Sequence, residues 1–247
     1  MLTFLTHSRC EALSTFFRGQ LCTSLTGQGG RWITRGSFVY CQGDPSQSVY
    51  FLRAGLIKTS ILCEDGKEQI LRLYKPGEIF GELCFCTSMR REQAVALEDS
   101  MIVELAFAQL IGHLQGNSQA LTSFLSTISH HLEEAYEQIR LLSTEKVMGR
   151  LIQTLLRLAN EMGEPLDQWV RLRHHLTQDD LARMIGARRE VTSTLLNQLR
   201  TAACIDYSSR GQFLLDPLAL EQYQHPGGPN TEKGLSLPLP TGNSRSC

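Results

Sequence analysis

LTQDDLARMIGARREVTSTLLNQL, residues 176–199, decides how the chain is read. Thr177-Gln178-Asp179-Asp180 has the form of a capping box with a short acid at its third helical position, opening a short helix through Leu181 and Ile185. Gly186 breaks that helix. A second one, from about Arg188 to Arg200, turns Val191, Leu195, Leu196 and Leu199 inward and leaves Arg188, Arg189, Ser193, Thr194 and Asn197 on its open side. Two short helices joined at a glycine form a helix-turn-helix, whose second member fits the major groove of DNA.

Charge agrees with this reading. The stretch 171–200 carries six arginines against Asp179, Asp180 and Glu190, in a chain whose formal net charge is only −1. A local basic surface, not bulk charge, must therefore hold any nucleic acid. Arginine can donate a bidentate pair to guanine and glutamate can accept from cytosine N4, so Arg189 and Glu190 are the base-reading candidates. Arg188, Ser193, Asn197 and Thr177 are candidates for backbone contacts. Downstream, 204–207 and 213–215 flank Ser208-Ser209-Arg210-Gly211 as a hairpin in the position of a wing. The bland alternative is a helical hairpin with a solvated charged face.

Working upstream, Leu121, Leu125, Ile128, Leu132, Ala135, Ile139 and Leu142 are spaced alternately by four and three. This a/d seam is narrower than the face of a helix packed on its own domain, and it predicts self-association. A further helix, 145–162, stops at Gly163-Glu164-Pro165. From Arg31 to Ala106, short apolar stretches alternate with turn signals such as Gly43-Asp44-Pro45 and Glu64-Asp65-Gly66-Lys67, the rhythm of an antiparallel barrel. The expected class is α+β: a jelly-roll (double-stranded β-helix) sensor domain, a long coiled-coil dimerisation helix and a C-terminal winged helix. The expected division is 1–30, partly helical; 31–115, barrel; 116–145, dimerisation helix; 146–224, winged helix; and 225–247, a disordered tail rich in Pro, Gly and Ser.

The 247 residues, 42% apolar, suffice for two cores. The first twenty residues carry neither a basic leader nor an unbroken apolar run, so a cytoplasmic protein without membrane spans is expected. Eight scattered cysteines show no CxxC, and no metal-ligand spacing occurs; they read as reduced thiols. No nucleophile with an adjacent base and no phosphate-cradling loop is present, and the Gly27, Gly29, Gly30 cluster reads as a connection. An enzyme is therefore not expected.

The order of barrel, Lys75-Pro-Gly-Glu-Ile-Phe-Gly-Glu-Leu83, heptad helix, Met148-Gly-Arg-Leu151 and the helix-turn-helix beginning at Arg189-Glu190 resembles the family of the cyclic-AMP receptor protein and the fumarate-nitrate regulator, over roughly residues 33–222. The resemblance implies a homodimer on a two-fold symmetric DNA site, with RNA polymerase as a further partner and an effector in the barrel. The implied effector pocket draws on Gly81, Glu82, Leu83, Arg90, Arg91, His131 and Tyr136.

That pocket departs from the cyclic-nucleotide pattern. Counted without gaps, the family's Arg-Ser-Ala triplet falls on Glu92-Gln93-Ala94, and a carboxylate there repels a phosphate. The base-contacting hydroxyls fall on Ala135 and Tyr136. Cyclic AMP is thus not the expected effector, although a slipped register brings Arg90 or Arg91 inward. The chain also resembles the cyanobacterial nitrogen-control regulator, which senses 2-oxoglutarate, around Gln93–Leu97; that pocket's helix arginine and glutamate fall on His131 and Tyr136, so its ligand does not follow.

No cofactor is identified. An iron–sulfur cluster needs more thiolates than Cys10 and Cys22 supply. Haem needs axial ligands such as His7, His113 or His130, but lone histidines near helices are more often capping or surface residues. Cys84 and Cys86 form a redox pair only if strained. The rival to a regulator is a ligand- or partner-binding barrel whose winged helix no longer reads DNA.

Overall fold

The computed structural model describes residues 29–85, 88–207 and 212–224. The expectations for the N-terminal segment, the tail, the wing tip, Cys10, Cys22, His7 and the Cys84/Cys86 pair fall wholly or partly outside these residues.

Eight strands make two four-stranded antiparallel sheets. β1 (Arg31–Ile33), β8 (Ser100–Ala106), β3 (Ser48–Ala54) and β6 (Ile79–Phe80) form one, in that order; β2 (Phe38–Tyr40), β7 (Gln93–Ala96), β4 (Ile57–Leu62) and β5 (Glu68–Tyr74) form the other. Successive strand residues face opposite sides. On β3, Tyr50 and Leu52 point between the sheets, joining Tyr40, Tyr74, Phe80, Ala94 and Ile102, while Val49 and Phe51 point outward onto helices. Those helices are α1 (Phe107–Gln115), through Leu110 and Leu114, and the start of α2 (Ser118–Thr144), through Ala120 and Phe124.

Asn117 caps α2, its Oδ1 accepting from the backbone of Gln119 and Ala120 at 3.1 and 3.0 Å. Along its length, the helix leaves Leu121, Leu125, Leu132, Ala135, Ile139 and Leu142 exposed. Ile128 is the exception: it is half-buried against the barrel's outer cluster, so the seam is interrupted where α2 still leans on its own domain.

α3 (Val147–Met162) leads into a hairpin, β9 (Gly163–Leu166) and β10 (Trp169–Leu172), where the sequence had suggested only a helix stop. Then follow α4 (Gln178–Ile185), α5 (Arg189–Thr201), β11 (Ile205–Tyr207), β12 (Phe213–Leu215) and α6 (Pro217–Gln224), with β11-β12-β10-β9 as one sheet. This is a winged helix. Its core of Leu151, Leu155, Leu181, Ile185, Leu196, Leu199 and Phe213 continues without a break into Leu56, Ile70 and Leu73 of the barrel.

Candidate nucleic-acid interface

α4 begins as expected: Thr177 Oγ1 accepts from the Asp180 N–H at 3.0 Å and donates to Asp180 Oδ2 at 2.6 Å. The hydroxyl proposed for a DNA backbone contact is thus engaged in the cap. Gly186 ends the helix at φ 63°, in the left-handed region where a side chain would be strained, and Ala187 N–H reaches back to the Ala182 carbonyl. The terminal carbonyls of α4 are gripped from three sides. Gln138 of α2 and Gln69 of β5 donate to Met184 O at 2.8 and 3.2 Å, and Arg150 Nε of α3 donates to Ile185 O at 2.9 Å.

An ion network, largely buried at Lys58, Glu68 and Asp180 and open to solvent at Arg183 and Asp179, adds a second attachment. Lys58 Nζ sits 3.0 Å from Glu68 and 3.6 Å from Asp180, and Arg183 reaches both Glu68 and Asp179. Burial lowers the Lys58 pKa, against the pull of Asp180. The reading module is therefore fixed to the β4–β5 hairpin by polar bonds as well as by a shared core.

α5 buries Thr192, Leu196 and Leu199, with Leu195 half-buried. Val191, expected inward, is instead 42% exposed, and Thr192 takes the inward place because its hydroxyl bonds back to Arg188 O. Arg188, Arg189, Glu190, Thr194 and Asn197 are exposed and Ser193 is half-buried. A cleft of 1110 Å³ separates this end of the helix from the turn of the β4–β5 hairpin.

Four of the six arginines counted in this stretch are neutralised: Arg171 and Arg173 by Glu164, Arg183 by Glu68 and Asp179, and Arg200 by Asp206. The ion pairs among the described residues leave Arg188 and Arg189 as the cations held open at the helix's N-terminal end. On the wing side, Tyr207 donates to Asn197 Oδ1 at 2.8 Å while Arg200 lies over the Tyr207 ring at 5.0 Å. This occupies the amide oxygen of the exposed Asn197 and leaves its N–H groups as the donors it can offer.

Inside the barrel, Arg90 and not Arg91 is buried. Its guanidinium carbon lies 4.1 Å from the Tyr40 ring centroid and 5.4 Å from that of Tyr50, and it donates to the carbonyls of Gly81, at 2.9 Å, and Ser48. Gly81, at φ 81°, admits this approach because a Cβ there would stand 2.8 Å from Arg90 Nη1. Glu92 accepts from the Tyr40 hydroxyl at 2.8 Å, and burial, followed by the nearby Glu82 charge, pushes its pKa up to about 7. Glu82 lies 2.8 Å from His131 Nδ1 and accepts from Tyr74 at 3.3 Å; burial alone would raise its pKa, but the His131 bond holds it below the ordinary range.

Gly81, Glu82, Arg90 and His131 therefore converge, whereas Leu83, Arg91 and Tyr136 face solvent. An incoming phosphate would meet the Glu82 carboxylate, the partly ionised carboxyl of Glu92 and an arginine already committed to its own chain. Among the described residues, no group of three or more His, Cys, Asp or Glu side chains is placed to hold a metal ion, and no helix is long and apolar enough to cross a membrane.

Residues 31–117 match the cyclic nucleotide-binding domain family, and residues 149–223 match the Crp-like helix-turn-helix domain family. The chain belongs to the CRP/FNR family of transcription regulators. Among its relatives, this regulator is 29% identical to the anaerobic regulatory protein of Bacillus subtilis over 75% of its own length and 79% of the relative's. It is 27% identical to the global nitrogen regulator of Synechocystis over 76% and 85%. A solved CRP/FNR-family regulator from Thermus thermophilus superposes with a TM-score of 0.63 at 25% identity, covering 78% of this chain and 97% of that one. The family is one of DNA-binding regulators, not of enzymes. The names of the two relatives point to different signals, so neither transfers an effector to this regulator.

Proposed function

We propose that the regulator acts in the cytoplasm as a homodimer paired along α2, placing two copies of α5 on a palindromic operator and working with RNA polymerase. Arg189 and Glu190 read base edges; Arg188, Ser193 and Asn197 hold phosphates. Thr177 serves these contacts by capping α4. The barrel is occupied by its own arginine and aromatic rings and takes no cyclic AMP.

The observation that carries this reading is the pair of uncompensated arginines at the exposed N-terminal end of a helix whose opposite face is buried. The test is selection of bound sequences from random duplexes by the purified protein at near-physiological salt, without added effector. One palindromic site that an Arg189→Ala/Glu190→Ala variant fails to select is the expected result. Equal binding of selected and random DNA by the wild-type protein overturns the reading.

A further inference from the structure

At about 100° per residue, Glu190, Thr194, Asn197 and Thr201 fall on one strip of α5, opposite Thr192, Leu196 and Leu199. Thr194 is exposed in the middle of this strip, one turn beyond Glu190, and it is uncharged. Its hydroxyl donates to the Glu190 carbonyl at 3.0 Å, a back-bond of the kind that Thr192 makes to Arg188 and Thr201 to Asn197. The side chain's one polar donor is thus turned onto the helix, which leaves the methyl group as the part of this exposed side chain free to make an outside contact.

In the major groove, guanine, adenine and cytosine present donors and acceptors, and only thymine carries an apolar substituent, its 5-methyl group. A methyl group on the centre line of a reading face has one complementary partner there. We propose that Thr194 is a third specificity-determining residue, whose methyl group packs on a thymine 5-methyl within two base pairs of the one Glu190 contacts. The proposal rests on the reading of α5 as the groove-entering helix. It adds a hydrophobic contact to the two polar ones and predicts a T·A pair in each half-site.

The test uses the full-length protein and the operator recovered by selection. Each thymine of the half-site is replaced in turn by deoxyuridine, symmetrically in both halves, and the dissociation constant is measured at fixed salt. At one position uracil should weaken wild-type binding about fourfold per half-site, the equivalent of leaving one methylene-sized group unburied. Thr194→Ser keeps the hydroxyl and its back-bond but lacks the methyl group, and it should bind the thymine and uracil operators alike. Thr194→Val keeps a methyl group without the hydroxyl and should retain the uracil penalty. If no operator is recovered, the DNA reading fails and this inference falls with it. If an operator is recovered but no uracil substitution weakens the wild-type protein, or Thr194→Ser keeps the same penalty, this inference alone is overturned.

Discussion

The guanidinium carbon of Arg90 lies over the ring of Tyr40, 4.1 Å from its centroid, and its N–H groups donate to the carbonyls of Gly81 and Ser48. It fills the barrel with the chain's own cation. Arg90→Ala would strand two carbonyls and uncover two aromatic faces, for a loss of about 3 kcal/mol by urea denaturation. A concentration series of cyclic AMP should leave the melting temperature of the wild-type protein unchanged. A melting temperature that climbs with nucleotide concentration would show that the site opens.

Glu92 gives the fold a pH dependence of definite sign. Its carboxyl titrates near 4.5 in the unfolded chain and at about 7 in the folded one, so between these values only the unfolded chain is ionised. The contribution of Glu92 to stability is then fully present below 4.5 and is lost as pH rises to 7, by about 3 kcal/mol in total. His130, raised by its bond to Glu134, has the same sign over its own window. Glu134 is opposite: its burial is outweighed by His130 and Arg72, which hold it at about 2, and its contribution is lost as pH falls below 4.5. Glu92→Gln should flatten the slope between pH 5 and 7. Identical slopes for the two proteins would contradict the assignment.

Glu68 receives Lys58, Ser60 and Arg183 together in a buried position. Removing it by Glu68→Ala leaves Lys58 facing only Asp180 and should cost about 3 kcal/mol. The exposed Arg171–Glu164 pair is the control: Arg171→Ala should cost under about 0.5 kcal/mol. Comparable losses for the two variants would show that the network is not the attachment described above.

Leu132 and Ile139, 50% and 59% exposed on α2, lie on the proposed dimer seam. Leu132→Asp and Ile139→Asp should sediment as folded monomers and lose the operator, since one half-site cannot supply the affinity of two. A variant that stays dimeric by analytical ultracentrifugation would place the contact elsewhere.

Much of this architecture was legible because it rests on local rules. The capping box at Thr177, the glycine at 186 and the four-three spacing along α2 each concern residues within a turn or two of one another. The barrel interior was harder. Counting placed Glu92 where an arginine was sought, yet Arg90 and Glu92 both enter, because the chain before β7 turns both side chains inward and leaves Arg91 out. The β9–β10 hairpin gave little signal, its strands being four residues each and holding Pro165. The Lys58–Glu68–Asp180–Arg183 network joins residues more than a hundred positions apart, a distance that no periodicity can span. The phase of α5 departs from its apolar pattern at Val191, since a buried threonine that satisfies its own hydroxyl does not look apolar in a sequence.

Leu56, Ile70 and Leu73 of the barrel belong to the same apolar cluster as Leu181, Leu196 and Phe213 of the reading module. An interface of this kind has no seam along which to melt. Heat should therefore dismantle barrel and winged helix in one calorimetric transition instead of two, and a cut of the chain between α2 and α3 would give fragments that are sticky rather than independent. Sequence change at the barrel's β4–β5 hairpin is in consequence constrained by the DNA-reading half of the molecule, and an exchange of winged helices between relatives would have to carry that hairpin with it.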